Sequence, residues 1–132
     1  MSAPRRLRPE GLVRSPAFSH VAIVPPGATT IYVGGQNAVD SSGALIGDGD
    51  VAAQSVRALQ NVATALAAAG ASLRDVVQWT VLFVDGVDIA AGYAAIAGDL
   101  ATDEPGLITA ARVAGLGVPG ALVEISAVAA VV

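Results

Sequence analysis

The sequence contains no cysteine and no lysine, and its single histidine is His20. Without cysteine, the chain has no disulfide, no thiolate nucleophile and no cysteine-based metal site. Without lysine, it has no Schiff-base or P-loop lysine chemistry of its own. One histidine excludes a multi-histidine zinc site, although a Ser-His-Asp triad that uses His20 stays open. We therefore expect neither a metal nor a cofactor.

Aromatic residues make up only 4% of the chain, and long hydrophobic runs are absent. Much of the apolar content is alanine and valine, whose small side chains bury little area per residue, so we expect an oligomer that gains burial between subunits. Glycine, proline or aspartate interrupts every apolar run well before the roughly 18 residues that a membrane span requires. We predict a soluble, cytoplasmic protein of one domain with no membrane partner.

Positive charge is scarce, which leaves the whole chain with a net charge of −4, and it is concentrated at the start of the chain. Arg5, Arg6, Arg8 and Arg14 resemble a nucleic-acid-binding arm or a targeting peptide. However, no apolar segment of a signal peptide accompanies them, and the acidic remainder repels a phosphate backbone. We predict that residues 1–14 form an irregular basic lead-in, that residues 15–132 form one domain, and that nucleic acid is not a partner.

The hydrophobic pattern predicts an α+β fold. The first two strands are expected to form a hairpin across Pro25-Pro26-Gly27, and the first helix is expected to begin after Asp50 and to stop at Gly70. The predicted order strand, strand, short strand, helix, strand, helix, strand, strand favours a mixed β-sheet with two helices packed on one face. The predicted strands are 17–24, 29–36, 76–84, 108–116 and 121–132, with a further short segment at 44–46, and the predicted helices are 51–69 and 89–100.

The first helix is the most regular of these elements. Its apolar residues recur at steps of three and four, which predicts one buried face, while Gln54, Arg57, Gln60 and Asn61 fall between them. The residues expected on the buried face are Val56, Leu59, Val62, Ala63 and Leu66.

Two local features suggest a site. Glu124 is a lone carboxylate in the apolar segment Leu-Val-Glu-Ile-Ser-Ala-Val, where it is suited to acid/base chemistry or to orienting water. The alternative, a salt bridge to an arginine across a subunit interface, is equally consistent with the sequence. The paired glycines Gly34 and Gly35 inside a strand indicate a bulge or a close backbone approach.

Several segments together resemble the RidA/YjgF family of reactive-intermediate deaminases, also called endoribonuclease L-PSP-like proteins. The resemblance spans residues 15–128 and implies a chorismate-mutase-like protomer, a homotrimer, and three clefts between subunits that bind small carboxylated ligands. The segments that carry it are Ile31-Tyr-Val-Gly-Gly-Gln36, Arg57-Ala-Leu-Gln-Asn-Val62, Ala69-Gly-Ala-Ser-Leu-Arg-Asp-Val76, Thr80-Val-Leu-Phe-Val84 and Gly120-Ala-Leu-Val-Glu-Ile125.

The resemblance also implies roles for individual residues. In deaminating members an arginine holds the substrate carboxylate, and a glutamate in the final strand positions the hydrolytic water. Glu124 stands at the position of that glutamate, whereas the arginine position falls on Leu107 or Ile108. The other residues that the resemblance places at the ligand are His20, Gly34, Tyr93 and Thr109.

Arg112 lies four residues beyond Ile108, on the same face of the predicted strand. It is a candidate for a relocated anion site, and the alternative is an interface or surface arginine.

These observations predict a homotrimer that binds a small metabolite between subunits and has weak or absent 2-imino acid deaminase activity. The alternative is a hydrolase of a less acidic imine or enamine, in which Glu124, with His20 as a further candidate, performs acid/base chemistry. Some relatives are named for RNA cleavage, but the acidic charge, the single histidine and the lack of lysine argue against it here.

Overall fold

The computed structural model describes residues 3–132. Six strands and two helices follow one another along this part of the chain, with a short 3₁₀ turn, Leu73–Asp75, before the fourth strand. In chain order the elements are β1 (Arg5–Leu7), β2 (Val21–Ile23), β3 (Thr29–Gln36), α1 (Val51–Ala68), β4 (Val76–Val84), α2 (Ile89–Leu100), β5 (Leu107–Val113) and β6 (Val123–Val131).

Four strands form the main sheet, in the order β3-β6-β4-β5. β4 and β5 run parallel, because α2 connects them, while β6 is antiparallel to both β3 and β4. The hydrophobic core lies between this sheet and the two helices, which therefore cover one of its faces. The predicted α+β class, the mixed sheet and the helices on one face are confirmed.

Alternation along the strands explains where the core lies. Successive side chains of a strand point to opposite faces. On β4, Trp79, Val81 and Phe83 are buried, and so are Val123 and Ile125 on β6. The helices contribute Leu59, Val62, Leu66, Ile96 and Leu100 to the same cluster.

Both helix starts are as the sequence predicts. The Asp50 carboxylate accepts a hydrogen bond from the backbone N–H of Ala53 at 3.0 Å, and that of Asp88 accepts one from Ala91 at 3.1 Å. These contacts satisfy N–H groups that have no partner within the helix. At the other end of α1, Gly70 has a φ of +77°, a conformation that disfavours other residues.

The buried face of α1 differs from the prediction most clearly at Gln54 and Val56. Gln54, expected on the polar side, is completely buried, whereas Val56 is 37% exposed. The Gln54 amide donates to the carbonyls of Gly47 and Gly120, and its oxygen accepts from the N–H of Leu122. Hydrogen bonds to distant loops offset the cost of burying this amide, and a hydrophobic pattern does not register them.

The N-terminal prediction was wrong in two respects. Residues 5–7 are not irregular: β1 pairs with β2 to form a small antiparallel sheet. The guanidinium of Arg6 also donates to the backbone carbonyls of Arg74 and Val76, which anchors β1 to the domain. Since β2 pairs with β1 and β3 pairs with β6, the expected hairpin between β2 and β3 does not form.

The remaining differences concern strand ends and neighbours. Residues 44–46 form only an isolated bridge, between Leu45 and Val39. β5 ends at Val113, three residues earlier than expected, and the strands on either side of the Gly117–Gly120 turn are not neighbours, because both pair with β4. Within residues 3–132, no helix has the length and apolarity that a membrane crossing requires.

Candidate functional site

The candidate site lies on the face of the main sheet that neither helix covers, which we call the open face. Its polar side chains include Gln78 and Thr80 on β4, Thr109 on β5, and Glu124 and Ser126 on β6. The strand register aligns them: Thr80 pairs with both Thr109 and Ser126. The apolar side chains of this face are Tyr32, Leu82, Val84, Leu107, Ala111, Val113 and Val128.

Glu124 is half-buried on the open face, directly opposite Leu82. Its carboxyl group lies against the backbone of Gly35, where a Cβ atom would be 2.6 Å from Cδ and 2.7 Å from Oε2. The register of β3 against β6 shifts between Val33 and Gln36. The glycine pair therefore produces both the bulge and the close approach that the sequence indicates.

Buried amides hold β6, and with it Glu124, in position. Gln54 binds the N–H of Leu122 at 2.8 Å, and the Asn37 amide donates to the carbonyl of Val123 at 3.1 Å. Asn61 on α1 in turn donates to the carbonyl of Asn37 at 2.9 Å. These contacts fix the backbone immediately before Glu124 from two sides, as a positioned carboxylate requires.

A cleft of about 270 Å³ opens on this face; Glu124 is not part of its wall but lies two residues along β6 from Ser126, which is. It holds hydroxyl, amide and aromatic groups, which suits a small ligand with both polar and apolar parts. The lining side chains include Tyr32, Gln78, Thr80, Ser126 and Val128, with Gly34 at its edge.

The structure separates the two candidates for the arginine position of relatives. Leu107 pairs with Gln78 and Thr109 with Thr80, so both lie on the open face with Glu124. Ile108 pairs with the buried Trp79 and packs against the core. Leu107 is therefore the residue that shares a face with the carboxylate.

Glu124 and Leu107 do not meet within one chain. Their partners on β4, Leu82 and Gln78, are four residues apart, which is about 13 Å along the strand. β6 and β5 are also separated by β4, which adds about 10 Å across the sheet. A cleft that contains both residues thus needs a second copy of the chain.

Arg112 lies on the other side of the sheet. It pairs with the buried Phe83, and its guanidinium donates to the carbonyl of Val87 at 3.1 Å. The predicted shared face of Arg112 and Ile108 is confirmed, but this face carries the helices. Within one chain, the structure does not bring Arg112 near Glu124.

The remaining predicted site residues are dispersed. The His20 Nε2 lies 2.7 Å from the carbonyl oxygen of Val13, and its ring packs edge-on against Phe18. Gly34 is on the rim of the open-face cleft, with free space beside it. Of the site residues predicted from the sequence, only Gly34, Leu107 and Thr109 share the open face with Glu124 in the described chain.

Tyr93 lies on α2, in the helix layer. Burial raises the pKa of its phenol above the ordinary value of 10.0. It lines a separate cavity of about 230 Å³ with Pro16, Ala17, Ala97 and Ala101.

The sequence reasoning missed part of this site. Tyr32 is 79% exposed on the open face although it occupies a strand of the main sheet, and Gln78 lines the same cleft. The alternation of Gln78 and Thr80 with buried residues was the available signal for a polar face. Nothing comparable marks Tyr32. Among residues 3–132, no three potential metal ligands of the His, Cys, Asp or Glu type cluster together.

Solved structures resemble this chain over most of its length. A Rid-family protein of unknown function from Yersinia pestis is 30% identical with a TM-score of 0.86, and the match covers 98% of this chain and 100% of that one. YjgF from Escherichia coli is 32% identical with a TM-score of 0.68, over 80% of this chain and 83% of that one. A YjgF/YER057c/UK114-family member from Mycobacterium tuberculosis is 28% identical with a TM-score of 0.66, and the match covers 98% of this chain and 100% of that one.

No curated protein sequence is significantly similar to the chain. The sequence profile of the family described as endoribonuclease L-PSP, by contrast, matches residues 13–131. Since this match spans nearly the whole chain, the protein belongs to the endoribonuclease L-PSP family, the family of the Rid, YjgF and UK114 proteins.

Proposed function

We propose that the protein is a homotrimer that binds a small metabolite in clefts between its subunits, with weak or no 2-imino acid deaminase activity. One observation carries this proposal: Glu124 and Leu107, the residue that we assign to the arginine position of relatives, lie on the same open face. An aliphatic side chain cannot reproduce the paired hydrogen bonds of a guanidinium with a substrate carboxylate.

The exposed surface supports assembly through the open face. Tyr32 is 79% exposed there, next to Val128, and no element within residues 3–132 covers it. A second copy packed on this face would bury the tyrosine and bring another Leu107 towards Glu124. The separation of these two residues within one chain is the geometric reason to expect a site between subunits.

Two measurements test the proposal. Sedimentation equilibrium should give three times the 13.0 kDa chain mass. Ammonia release from freshly generated iminopropionate should be weak or absent in the wild type, and Leu107→Arg should raise it by at least about tenfold if the carboxylate anchor is what is missing. A monomer, or a wild-type rate like that of an active family deaminase, would contradict the proposal.

A second candidate function is hydrolysis of an imine or enamine that has no carboxylate, with Glu124 positioning the water. This function is favoured by the half-buried carboxylate of Glu124, which lies on the open face near a cleft that contains the hydroxyls of Thr80 and Ser126. Glu124→Gln keeps the shape of the side chain but removes its charge and its ability to accept a proton. Rates that stay the same in this variant across a panel of imines would exclude the second candidate.

We do not propose RNA cleavage, despite the family's description. The net charge of −4 and the carboxylate of Glu124 on the open face both oppose a phosphate backbone. Incubation with a labelled RNA, with an unrelated RNase as positive control, should leave the RNA intact.

A further inference from the structure

The open face carries one charged side chain, and that charge is negative. Along β3, β6, β4 and β5, every residue that the register places on this face is neutral except Glu124. The polar groups nearby are hydroxyls and an amide, those of Thr80, Ser126, Thr109 and Gln78. Neutral groups of this kind orient a ligand but do not balance a charge.

The arginines, which are the only strongly basic residues, all lie elsewhere in the described chain. The guanidiniums of Arg6, Arg8 and Arg112 donate to backbone carbonyls, and Arg57 donates to the Asn61 side chain. Arg74 borders a cleft at the far end of β4 with Arg6, and Arg5 and Arg14 belong to the N-terminal segment. None of the seven lies on a strand position of the open face.

A second copy of the chain adds no positive charge to the site if it contributes its own open face. It adds Leu107, Thr109 and Ala111, which are neutral, so the carboxylate of Glu124 stays without a cationic partner. A half-buried carboxylate attracts a cation and repels an anion, and both effects grow as water is excluded. A ligand that carries its own carboxylate would therefore meet like charge and no compensating arginine.

We infer that this site selects small organic cations, amines or iminium ions without a carboxylate, whose charged nitrogen donates to Glu124. This inference rests on the proposed small-molecule cleft and narrows it to one ligand charge. The hydroxyls of Thr80 and Ser126, which line the adjacent cleft, accept the remaining N–H groups, while Leu82, together with Leu107 of a second copy of the chain, packs against the alkyl part. The cleft of about 270 Å³ whose wall includes Ser126, two residues along β6 from Glu124, limits the ligand to a small molecule.

Three probes of one size and different charge test the inference: butylammonium, butyramide and butanoate. Each is titrated into the full-length wild-type protein at neutral pH, with backbone amide NMR shifts as the readout. Butylammonium should bind at least about tenfold more tightly than butanoate and should shift the amides of Gly35, Leu82 and Glu124. Butyramide should fall between the two.

Two variants and a control separate charge selection from shape. Glu124→Gln should weaken butylammonium binding by at least about tenfold and leave butyramide unchanged. Leu107→Arg should reverse the preference, so that butanoate binds more tightly than butylammonium. Asp99→Asn is the control: it removes an exposed carboxylate from α2, on the helix side, and should change neither the affinity for butylammonium nor that for butanoate.

The possible results distinguish this inference from the proposed function. Butanoate that binds next to Glu124 as tightly as butylammonium would overturn the charge selection and leave the small-molecule cleft intact. Butylammonium binding that survives Glu124→Gln would also overturn it. If no probe shifts amides near Glu124, both the inference and the proposed cleft fail.

Discussion

The carboxyl group of Glu124 lies so close to Gly35 that the glycine has no room for a side chain. A Cβ atom at residue 35 would be 2.6 Å from the Glu124 Cδ, closer than side-chain atoms approach one another. The backbone of Gly35 is not in the left-handed region, so another residue could adopt its conformation. The conflict with a side chain at residue 35 therefore comes from the neighbouring carboxylate, not from the backbone conformation of the bulge.

Gly35→Ala should displace the Glu124 carboxylate and leave the fold intact. The clash involves the flexible end of a side chain, so rotation of Glu124 relieves it at a cost of less than about 1 kcal/mol in the free energy of unfolding. Carboxyl ¹³C shifts should show the movement, and thermal unfolding should show little change. Gly34→Ala is the matched control, because a Cβ atom there meets nothing within 4 Å. An unmoved Glu124 in Gly35→Ala would refute the steric argument.

Replacing Gln54 with alanine should destabilise the protein by about 2–4 kcal/mol. The substitution removes the side-chain partner of the partly buried carbonyls of Gly47 and Gly120 and of the N–H of Leu122. Denaturant unfolding measures the loss. Gln60→Ala, on the exposed side of the same helix, should stay within about 0.5 kcal/mol of the wild type. Similar midpoints for the two variants would contradict a structural role for the buried amide.

Asp40 should make the loop at residues 40–44 sensitive to acid. The Ser42 hydroxyl, followed by the N–H groups of Ala44 and Ser42 and the charge of Arg57, holds the pKa of the Asp40 carboxyl below 3.8. A folded-state pKa below the unfolded value means that the stabilisation is complete above the unfolded pKa. It is lost as the pH falls through the folded value.

The measurement for Asp40 is amide hydrogen exchange across this acidic range. Exchange at Ser42 and Ala44, corrected for its intrinsic pH dependence, should accelerate once Asp40 is protonated. In Asp40→Asn these amides should exchange faster than in the wild type above the Asp40 pKa, with no transition near that pKa. A carboxyl titration at or above 3.8 would show that the hydrogen bonds do not act as described.

The regular elements could be predicted because local signals determine them. Asp50, Asp88 and Gly70 mark helix ends by their own hydrogen bonding or backbone conformation, and the dense apolar run at 76–84 predicts β4 correctly. Glu124 was identified for a similar reason, since a carboxylate is unusual in an apolar strand.

The errors arose where distant parts of the chain compete for partners. β1 is only three residues long and is defined by pairing with β2 and by contacts of Arg6 with residues around 74–76, none of which are local. Gln54 is buried for the same kind of reason. The register that places Leu107 and Ile108 on opposite faces also depends on pairing with β4, so the strand sequence alone left the two residues equivalent.

Two glycines of α2 should respond to alanine with opposite sign. A Cβ atom on Gly92 would lie 2.8 Å from Phe83 Cε1 of β4 and 3.1 Å from Val51 Cγ2 of α1, where α2 packs on both, whereas one on Gly98 meets nothing within 4 Å. Alanine gains about 1 kcal/mol over glycine in a helix, but overpacking a core costs about 1–3 kcal/mol. Gly98→Ala should therefore raise the free energy of unfolding by about 0.5–1 kcal/mol, and Gly92→Ala should lower it by about 1–2 kcal/mol. Chemical denaturation of both variants decides the matter: if both are stabilised, the helix layer tolerates an added methyl group, and close packing is not the reason for glycine at position 92.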